Sequence, residues 1–198
     1  MLFPLFLGCF ALSIEDFLCR LQTNFYHLSV VLFKVKSISL RQPRLDDGMD
    51  LVELVASCPP LDVNSSYCNL LQCSHFARTS VAAEQDGGLV GFVSGYIIPE
   101  KPDTLFIWQV AVLEKVRGCG LASRMLDQIL TRHTCNQIRY LETTITEDNQ
   151  ASWALFKRFA KTQEADFQAS AWMDKEKHFA GQHDSEVLVR IGPFQSQN

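Results

Sequence analysis

The most constraining feature of this sequence is an apolar run that leads through a glycine-rich turn into an amphipathic segment. The run covers residues 105–113, the turn holds Gly118 and Gly120, and the amphipathic segment covers residues 121–133. A nearly continuous apolar run is typical of a central strand that is buried on both faces. Apolar residues at helical spacing predict a helix directly after the turn. The sequence therefore predicts a buried strand, a glycine turn and a helix in direct succession.

A glycine turn in this position is suited to hold a pyrophosphate. The backbone N–H groups at the start of a helix lie at the positive end of its dipole, and glycine allows a close approach of the ligand. Arg117 adds a cation before the turn, and small Ala122 keeps the first helical turn open. The chain has no GxxxxGK[ST] sequence, and its glycines do not have the GxGxxG spacing after a first strand, so both of these phosphate motifs are excluded. The turn by itself is equally consistent with a purely structural role.

The pattern along the rest of the chain predicts an α+β domain built on a mixed central sheet. The predicted strands are residues 38–41, 80–84, 89–98, 105–113, 138–145, 169–173 and 187–191. The predicted helices are a first one with Met49, Leu51, Val52, Leu54 and Val55 on its apolar face, then residues 66–76, 121–133 and 151–160. Gly87 and Gly88 predict a hairpin turn between the second and third strands.

Composition narrows the possible partners and chemistry. Acidic residues outnumber basic ones by 22 to 18, and no run of Lys or Arg forms a stripe for successive phosphates, so nucleic acid is not an expected partner. The seven cysteines are scattered without a CxxC motif or a paired Cys/His spacing, which indicates free thiols in a reducing cytosol and no metal site. A chain of 198 residues has room for one domain with a substantial core.

The first 37 residues require separate treatment because residues 1–13 are strongly apolar. No Lys or Arg precedes Arg20, and Glu15 and Asp16 interrupt the apolar run well short of the roughly 20 residues that cross a bilayer. We therefore expect residues 1–37 to be an extra N-terminal segment, residues 38–194 to form the domain, and the protein to be cytoplasmic without a membrane partner. A docking extension, a targeting segment and a lipoprotein-like signal at residues 7–9 remain alternatives.

The order β-α-α-β-β-β before the glycine turn, with Arg117, Gly120 and Ala122 in an Arg-x-x-Gly-x-Ala pattern, resembles the GCN5-related N-acetyltransferase (GNAT) superfamily. The resemblance implies acetyl-CoA as co-substrate and a fourth strand that splays from its neighbour and pairs with the pantetheine arm. It further implies a set of acetyl-CoA contacts at Val110, Ala111, Val112, Arg117, Gly118, Gly120, Leu121, Ala122, Asn149 and Phe156.

Four separate blocks, residues 60–67, 108–112, 141–146 and 178–184, narrow the resemblance to the L-2,4-diaminobutyrate acetyltransferases of ectoine biosynthesis. That family implies transfer of an acetyl group to the 4-amino group of L-2,4-diaminobutyrate, within the synthesis of a compatible solute, by a cytoplasmic homodimer. Two other interpretations stay open: an acetyltransferase for another small amine, and a non-catalytic module that binds CoA.

Residue types single out candidates for the acceptor side of the site. A substrate with two amines and one acid needs carboxylates for its ammonium groups, and Asp62 and Glu142 are candidates for that role. Glu142 interrupts an apolar strand, and a buried acid must be paired or functional. Asp62 could instead cap a turn. The matching blocks add a set of predicted substrate contacts at Tyr67, Trp108, Thr143 and His183.

The predicted reaction needs a proton acceptor, because an alkyl ammonium is charged at neutral pH. Glu142 is the predicted base, and the backbone N–H of Val110 is predicted to polarise the thioester carbonyl. Relatives in the superfamily place a tyrosine seven residues after an asparagine to protonate the leaving thiolate, whereas this chain has Asn149 followed by Phe156. Phenylalanine has no proton to donate, so the general acid stays unassigned, and Asn149 contacts the cofactor or caps the helix.

Overall fold

The centre of the molecule is a seven-stranded mixed sheet with helices on both faces. A computed structural model describes residues 37–195, so the predicted N-terminal segment lies outside the described residues apart from Ser37. The strands are β1 (Ser39–Arg41), β2 (Val81–Gln85), β3 (Gly88–Ile98), β4 (Lys101–Val112), β5 (Tyr140–Thr146), β6 (Phe167–Met173) and β7 (Glu186–Ile191). The α-helices are α1 (Gly48–Ala56), α2 (Ser66–Ser74), α3 (Leu121–Leu130), α4 (Gln150–Thr162) and α5 (Lys175–Phe179).

The strand order is β1-β2-β3-β4-β5-β7-β6, with β4 and β5 parallel and all other neighbours antiparallel. The pairing of β4 with β5 ends at Ile107 and Thr143, although β4 continues to Val112 and β5 to Thr146. The two strands therefore diverge and leave a cleft in the middle of the sheet. The predicted α+β fold and its splayed strand are confirmed.

Two apolar layers cover the two faces of the sheet. On one face α3 and α4 pack against the sheet, and Leu105, Ile107, Met125 and Phe159 lie in this layer. On the other face α1 packs against Phe92 and neighbouring residues. In α1 the buried positions are Leu51, Leu54 and Val55, which follow helical spacing, whereas Met49, predicted on the apolar face, is 56% exposed.

Local chain chemistry explains where the elements turn and end. The β2–β3 hairpin has Asp86 and Gly87 at positive φ, which matches the twist of adjoining strands. Strand β4 begins at Lys101, four residues before the predicted start, because Lys101 pairs with Ile98 of β3 in a second hairpin. Helix α3 ends at Leu130 rather than at His133.

A β-bulge places one residue of β4 out of register with β3. Gln109 is opposite Ser94 and Ile107 is opposite Gly95, so Trp108 lies between them without a partner. A Cβ atom on Gly95 would come within 2.7 Å of the Phe106 carbonyl oxygen, so only glycine fits this close approach. A bulge re-aims the side chain that it carries.

Within residues 37–195, no helix has the length and apolar character that a membrane crossing requires. The same residues contain no cluster of three or more His, Cys, Asp or Glu side chains that could hold a metal ion.

Candidate active site

The diverging ends of β4 and β5 open into a cavity of about 540 Å³. Strand residues from Ile107 to Val110 and from Thr143 to Thr146 form its walls, and two loops cover its mouth. The polar side chains that line it are Asp62, Asn64, Gln109, Thr143, Thr144, Thr146, Asp148, Asn149, Ser152, Lys175, Gln182, His183, Asp184 and Glu186. A second cavity, of about 560 Å³, lies along the glycine turn and the start of α3. Pro60, Leu61, Val110, Asn149 and Ser152 line both cavities, so the two adjoin each other.

The glycine turn has the conformation that a phosphate cradle needs. Gly118 and Gly120 have φ angles of +78° and +74°, and nothing lies within 4 Å of where their Cβ atoms would be. Gly120 is the N-cap of α3, so the first N–H groups of this helix are left for an external acceptor. The Arg117 Nε donates a hydrogen bond to the Val112 carbonyl oxygen at 2.9 Å. Leu121 and Ala122, which the sequence also predicts as acetyl-CoA contacts, line this second cavity.

Along the end of β4, the backbone N–H groups point alternately toward β3 and toward the open edge of the strand. The Leu113 N–H donates to the Val90 carbonyl oxygen of β3, so the N–H of Ala111, two residues earlier, also points toward β3. The N–H groups of Val110 and Val112 therefore point to the open edge. Ala111 is fully buried and lines neither cavity, so its predicted contact with the cofactor is not supported by its position.

The first turn of α4 lies where the first cavity meets the second cavity. Asn149 is the N-cap of this helix, and its Oδ1 accepts a hydrogen bond from the Ser152 N–H at 3.1 Å. Phe156, one to two turns further on, is 2% exposed and lines the first cavity. No phenolic hydroxyl is present at this position to protonate a leaving thiolate.

Trp108 is a wall of the cavity and not a core residue. Its side chain is 45% exposed, because the bulge directs it out of the apolar layers. The ring makes an edge contact with Phe76, with the centroids 6.3 Å apart. Behind it, the Asn64 Nδ2 donates to the Gln109 Oε1 at 3.0 Å, and the Gln109 Nε2 donates to the Asp62 carbonyl oxygen at 3.3 Å. Gln109 thus ties the loop that carries Asp62 to the edge of the cleft.

Asp62, His183 and Glu186 form a charged group at the mouth of the cavity. The His183 Nε2 lies 3.2 Å from the Asp62 Oδ2 and 3.9 Å from the Glu186 Oε1. The His183 Nδ1 lies 2.7 Å from the Asp184 carbonyl oxygen. The hydrogen bond to that carbonyl, together with the charge of Asp62, raises the pKa of His183. The imidazolium form is favoured because both ring nitrogens face acceptors.

Glu142 lies deeper on the same face of the sheet and is neutralised by two cations. Its carboxylate accepts hydrogen bonds from the Lys101 Nζ, at 3.1 and 3.3 Å, and from the Arg190 Nη1. The Arg190 guanidinium also stacks over the Tyr140 ring at 3.8 Å from its centroid. Glu142 does not line either cavity at the cleft. The prediction that Glu142 is the base therefore disagrees with this geometry.

The two remaining predicted residues differ in their placement. Thr143 is buried where the strands part, and its hydroxyl donates to the Ile107 carbonyl oxygen at 3.0 Å. Tyr67 is 71% exposed on α2 and lines neither cavity, so this chain alone does not bring it to the site.

Several residues of the cavity were not predicted from the sequence, and Gln109, Lys175 and Glu186 show why. Gln109 could have been found, since it is a polar residue inside an apolar run. Lys175 lies in the short helix α5, which no apolar periodicity predicts and whose N-terminus is capped by the Asp174 carboxylate. Glu186 begins β7, and nothing in its neighbourhood in the sequence marks it as functional.

The sheet is mixed, its central parallel strands β4 and β5 diverge, and a helix that begins at a glycine turn lies beside them. This combination defines the GNAT acetyltransferase fold. The profile of the family described as Acetyltransferase (GNAT) family matches residues 49–160.

Similarity to characterised proteins narrows the class further. The chain is 55% identical over 159 residues to L-2,4-diaminobutyric acid acetyltransferase of Methylotuvimicrobium alcaliphilum, covering 80% of this chain and 92% of that one. It is 52% identical over 151 residues to the protein of the same name from Vibrio parahaemolyticus, covering 76% and 83% of the two chains. The diaminobutyrate acetyltransferase EctA from Paenibacillus lautus, solved with its substrate L-2,4-diaminobutyric acid and coenzyme A, matches with a TM-score of 0.78 and 35% identity, over 82% of this chain and 99% of that one. The chain belongs to the L-2,4-diaminobutyric acid acetyltransferases of the GNAT family.

Proposed function

We propose that this protein transfers the acetyl group of acetyl-CoA to the 4-amino group of L-2,4-diaminobutyrate, giving N4-acetyl-L-2,4-diaminobutyrate for ectoine synthesis. The observation that carries the proposal is the open cleft between β4 and β5, which joins a phosphate-binding turn to an acidic cavity in a chain of this family. The Paenibacillus lautus relative binds both coenzyme A and diaminobutyrate, which supports the same pair of substrates for this chain.

Acetyl-CoA would enter along the glycine turn. Its pyrophosphate would accept hydrogen bonds from the N–H groups around Gly118 and Gly120, and Arg117 would add charge. The pantetheine arm would then pair with the open edge of β4 at Val110 and Val112, as an added strand does. This places the thioester in the cleft, where the N–H of Val110 would stabilise the oxyanion.

The acceptor would bind on the opposite side of the cleft, between Trp108 and the charged group at the mouth. Asp62 and Glu186 provide carboxylates for ammonium groups, and Trp108 provides an apolar wall for the methylene groups. His183 and Lys175 provide positive charge for the carboxylate of the substrate. A diamino acid thus finds a partner for each of its charged groups.

The chemical step is attack of the neutral amine on the thioester carbonyl, followed by loss of the CoA thiolate. The N–C bond forms as the tetrahedral intermediate appears, and the C–S bond breaks as it collapses. Because Phe156 cannot donate a proton, we propose that the thiolate leaves unprotonated and takes its proton from water. Glu142, with Lys101 and Arg190, would fix the sheet behind the acceptor without taking part in proton transfer.

We further propose that the enzyme acts as a homodimer in the cytoplasm, where acetyl-CoA is produced. Large hydrophobic side chains are exposed on or just before α1 and α2, at Leu45, Met49, Val63 and Tyr67, which supports association through these helices. A role for Tyr67 at the acceptor site would then require the partner subunit. Light scattering coupled to size-exclusion chromatography measures the mass, and a monomer at micromolar concentration would contradict the proposal.

Incubation with acetyl-CoA and a panel of amines tests the proposed substrate. The panel contains L-2,4-diaminobutyrate, ornithine, lysine, putrescine, spermidine and an alanine-initiated peptide, and release of the CoA thiol gives kcat/KM for each. Diaminobutyrate is expected to give the highest value by at least tenfold. Preference for a polyamine or a peptide would overturn the assignment of the substrate, and no thiol release with any amine would favour a CoA-binding module without activity.

A further inference from the structure

Glu186 is a cavity residue whose carboxylate is largely withdrawn from water. It is the first residue of β7, directly opposite Thr146 of β5, and its side chain is 17% exposed. Its Oε2 is fully buried and has no hydrogen-bond partner within residues 37–195. A buried carboxylate oxygen without a partner is costly, so it requires an explanation.

The other ionisable groups of the cavity are already engaged. Asp62 lies against the imidazole of His183, whose two nitrogens both face acceptors. The Asp148 Oδ1 accepts a hydrogen bond from the Thr146 hydroxyl at 2.7 Å. The Asp184 Oδ1 pairs with the Lys175 Nζ at 3.0 Å. Among the described residues that line the cavity, Glu186 thus has the carboxylate best placed to accept a new proton.

Electrostatics at Glu186 favour a base of moderate strength. Burial raises the pKa of Glu186, the charge of His183 and the nearby Thr144 side chain lower it, and the charge of Asp62 raises it. The net direction is upward, which makes the carboxylate a better proton acceptor than an exposed one. A raised pKa brings a general base closer to the neutral pH at which it works.

Sheet geometry points Glu186 toward the reacting atoms. Glu186, Thr144 and Thr146 lie on the same face of the sheet, and Thr144 is on the β5 wall of the cleft opposite Trp108. Glu142 is also on this face, but its pair with Arg190 lies four residue pairs further from the open end than the pair of Thr146 with Glu186. Lys101 and Arg190 hold the Glu142 carboxylate there. A carboxylate at position 186 thus lies nearer to the open end, where the thioester would be placed.

We propose that Glu186 is the catalytic base, which takes the proton from the 4-ammonium group of the acceptor before it attacks the thioester. This inference rests on the proposed function. The proton moves from nitrogen to the Glu186 carboxylate, the nitrogen lone pair forms the bond to the acetyl carbon, and the C–S electrons leave on the CoA sulfur. Glu186 passes this proton to water at the mouth of the cavity, and the nitrogen releases its second proton to water as the intermediate collapses. The CoA thiolate takes up one proton from water, so one proton is released per turnover.

The test compares Glu186→Gln with Glu164→Gln, a matched change of an exposed carboxylate just past the C-terminal end of α4. Glu186→Gln is expected to lower kcat at pH 7 by about 100-fold or more, the usual effect of removing a general base, while KM for acetyl-CoA stays within twofold. The kcat/KM of Glu186→Gln is expected to rise about tenfold per pH unit up to pH 9, because the fraction of amine that is already neutral in solution rises at that rate. The kcat/KM of wild type and of Glu164→Gln is expected to level off at a lower pH than that of Glu186→Gln.

Two outcomes would overturn the proposal: turnover by Glu186→Gln within fivefold of wild type, or a pH profile that coincides with that of wild type. If Glu186→Gln does not fold, Glu186→Asp keeps the charge but withdraws the carboxylate by one methylene. It is expected to lower kcat at least tenfold without shifting the pH profile, and full activity would overturn the proposal. If wild type prefers another amine, the substrate assignment fails while the same variants still test Glu186 on that amine.

Discussion

Replacement of Glu142 by glutamine separates a structural role for this buried acid from a catalytic one. Its side chain is only 4% exposed, and it neutralises Lys101 and Arg190, whose side chains are 49% and 30% exposed. Loss of one partner from a fully buried ion pair costs about 3–5 kcal/mol. Here both cations can turn toward water, and glutamine keeps one acceptor oxygen at almost the same volume. We therefore expect the free energy of unfolding to fall by about 2 kcal/mol, or Tm by roughly 4–8 °C.

The assay pairs urea unfolding, followed by tryptophan fluorescence, with steady-state kinetics on the same preparations. Because Glu142 does not line the cavity, kcat per folded enzyme is expected to stay within about fivefold of wild type, far from the 100-fold or greater loss typical of a missing base. Glu164→Gln, at an exposed position just past α4, serves as the control and is expected to change neither quantity. A loss of turnover as large as that of a missing base, at unchanged stability, would refute the reasoning and return the base to Glu142.

Three further changes test other parts of the site and the fold. Gly120→Ala places a Cβ where phosphate would approach and strains a φ of +74°, so Kd for CoA by calorimetric titration is expected to rise tenfold, while stability falls by only about 1–2 kcal/mol. Trp108→Ala removes a side chain that is 45% exposed, so KM for the amine is expected to rise about tenfold, the effect of roughly 1.4 kcal/mol, with KM for acetyl-CoA unchanged. Asp47→Asn breaks the bidentate pair with Arg41, whose hydrogen bonds lower the pKa of Asp47. Since the folded pKa is lowered, this stabilisation is present at pH 7 and lost as the pH falls below about 4, so the two unfolding curves are expected to converge there.

Much of the fold follows from local chemistry that the sequence displays directly. The apolar run before Gly118 is a central strand, the spacing of Leu51, Leu54 and Val55 is a helix face, and Asp86-Gly87 is a hairpin turn. Each of these depends on residues that are neighbours in the chain. Even the splayed strand was predicted, although from resemblance and not from periodicity.

The parts that the sequence did not predict depend on contacts between distant residues. The ion pairs of Glu142 join β5 to residues 41 and 48 positions away, so the sequence shows a buried acid but not its two cations. The bulge at Trp108 arises from the register of β3 against β4, and the sequence does not show that this register places the ring at the cavity. Glu186 is brought to the cavity by the pairing of β5 with β7. Asp62, Trp108 and His183 line one cavity, and their role as substrate contacts stays a prediction.

The most direct test of the central claim is the position of the acetyl group in the product. The protein is incubated with L-2,4-diaminobutyrate and acetyl-CoA carrying 13C in the carbonyl carbon, and the product is examined by two-dimensional NMR. A correlation from the labelled carbonyl to the amide proton on N4, and through it to the C4 methylene protons, is the predicted result. Acetyl on N2, or no labelled product while another amine is acetylated, would contradict the account.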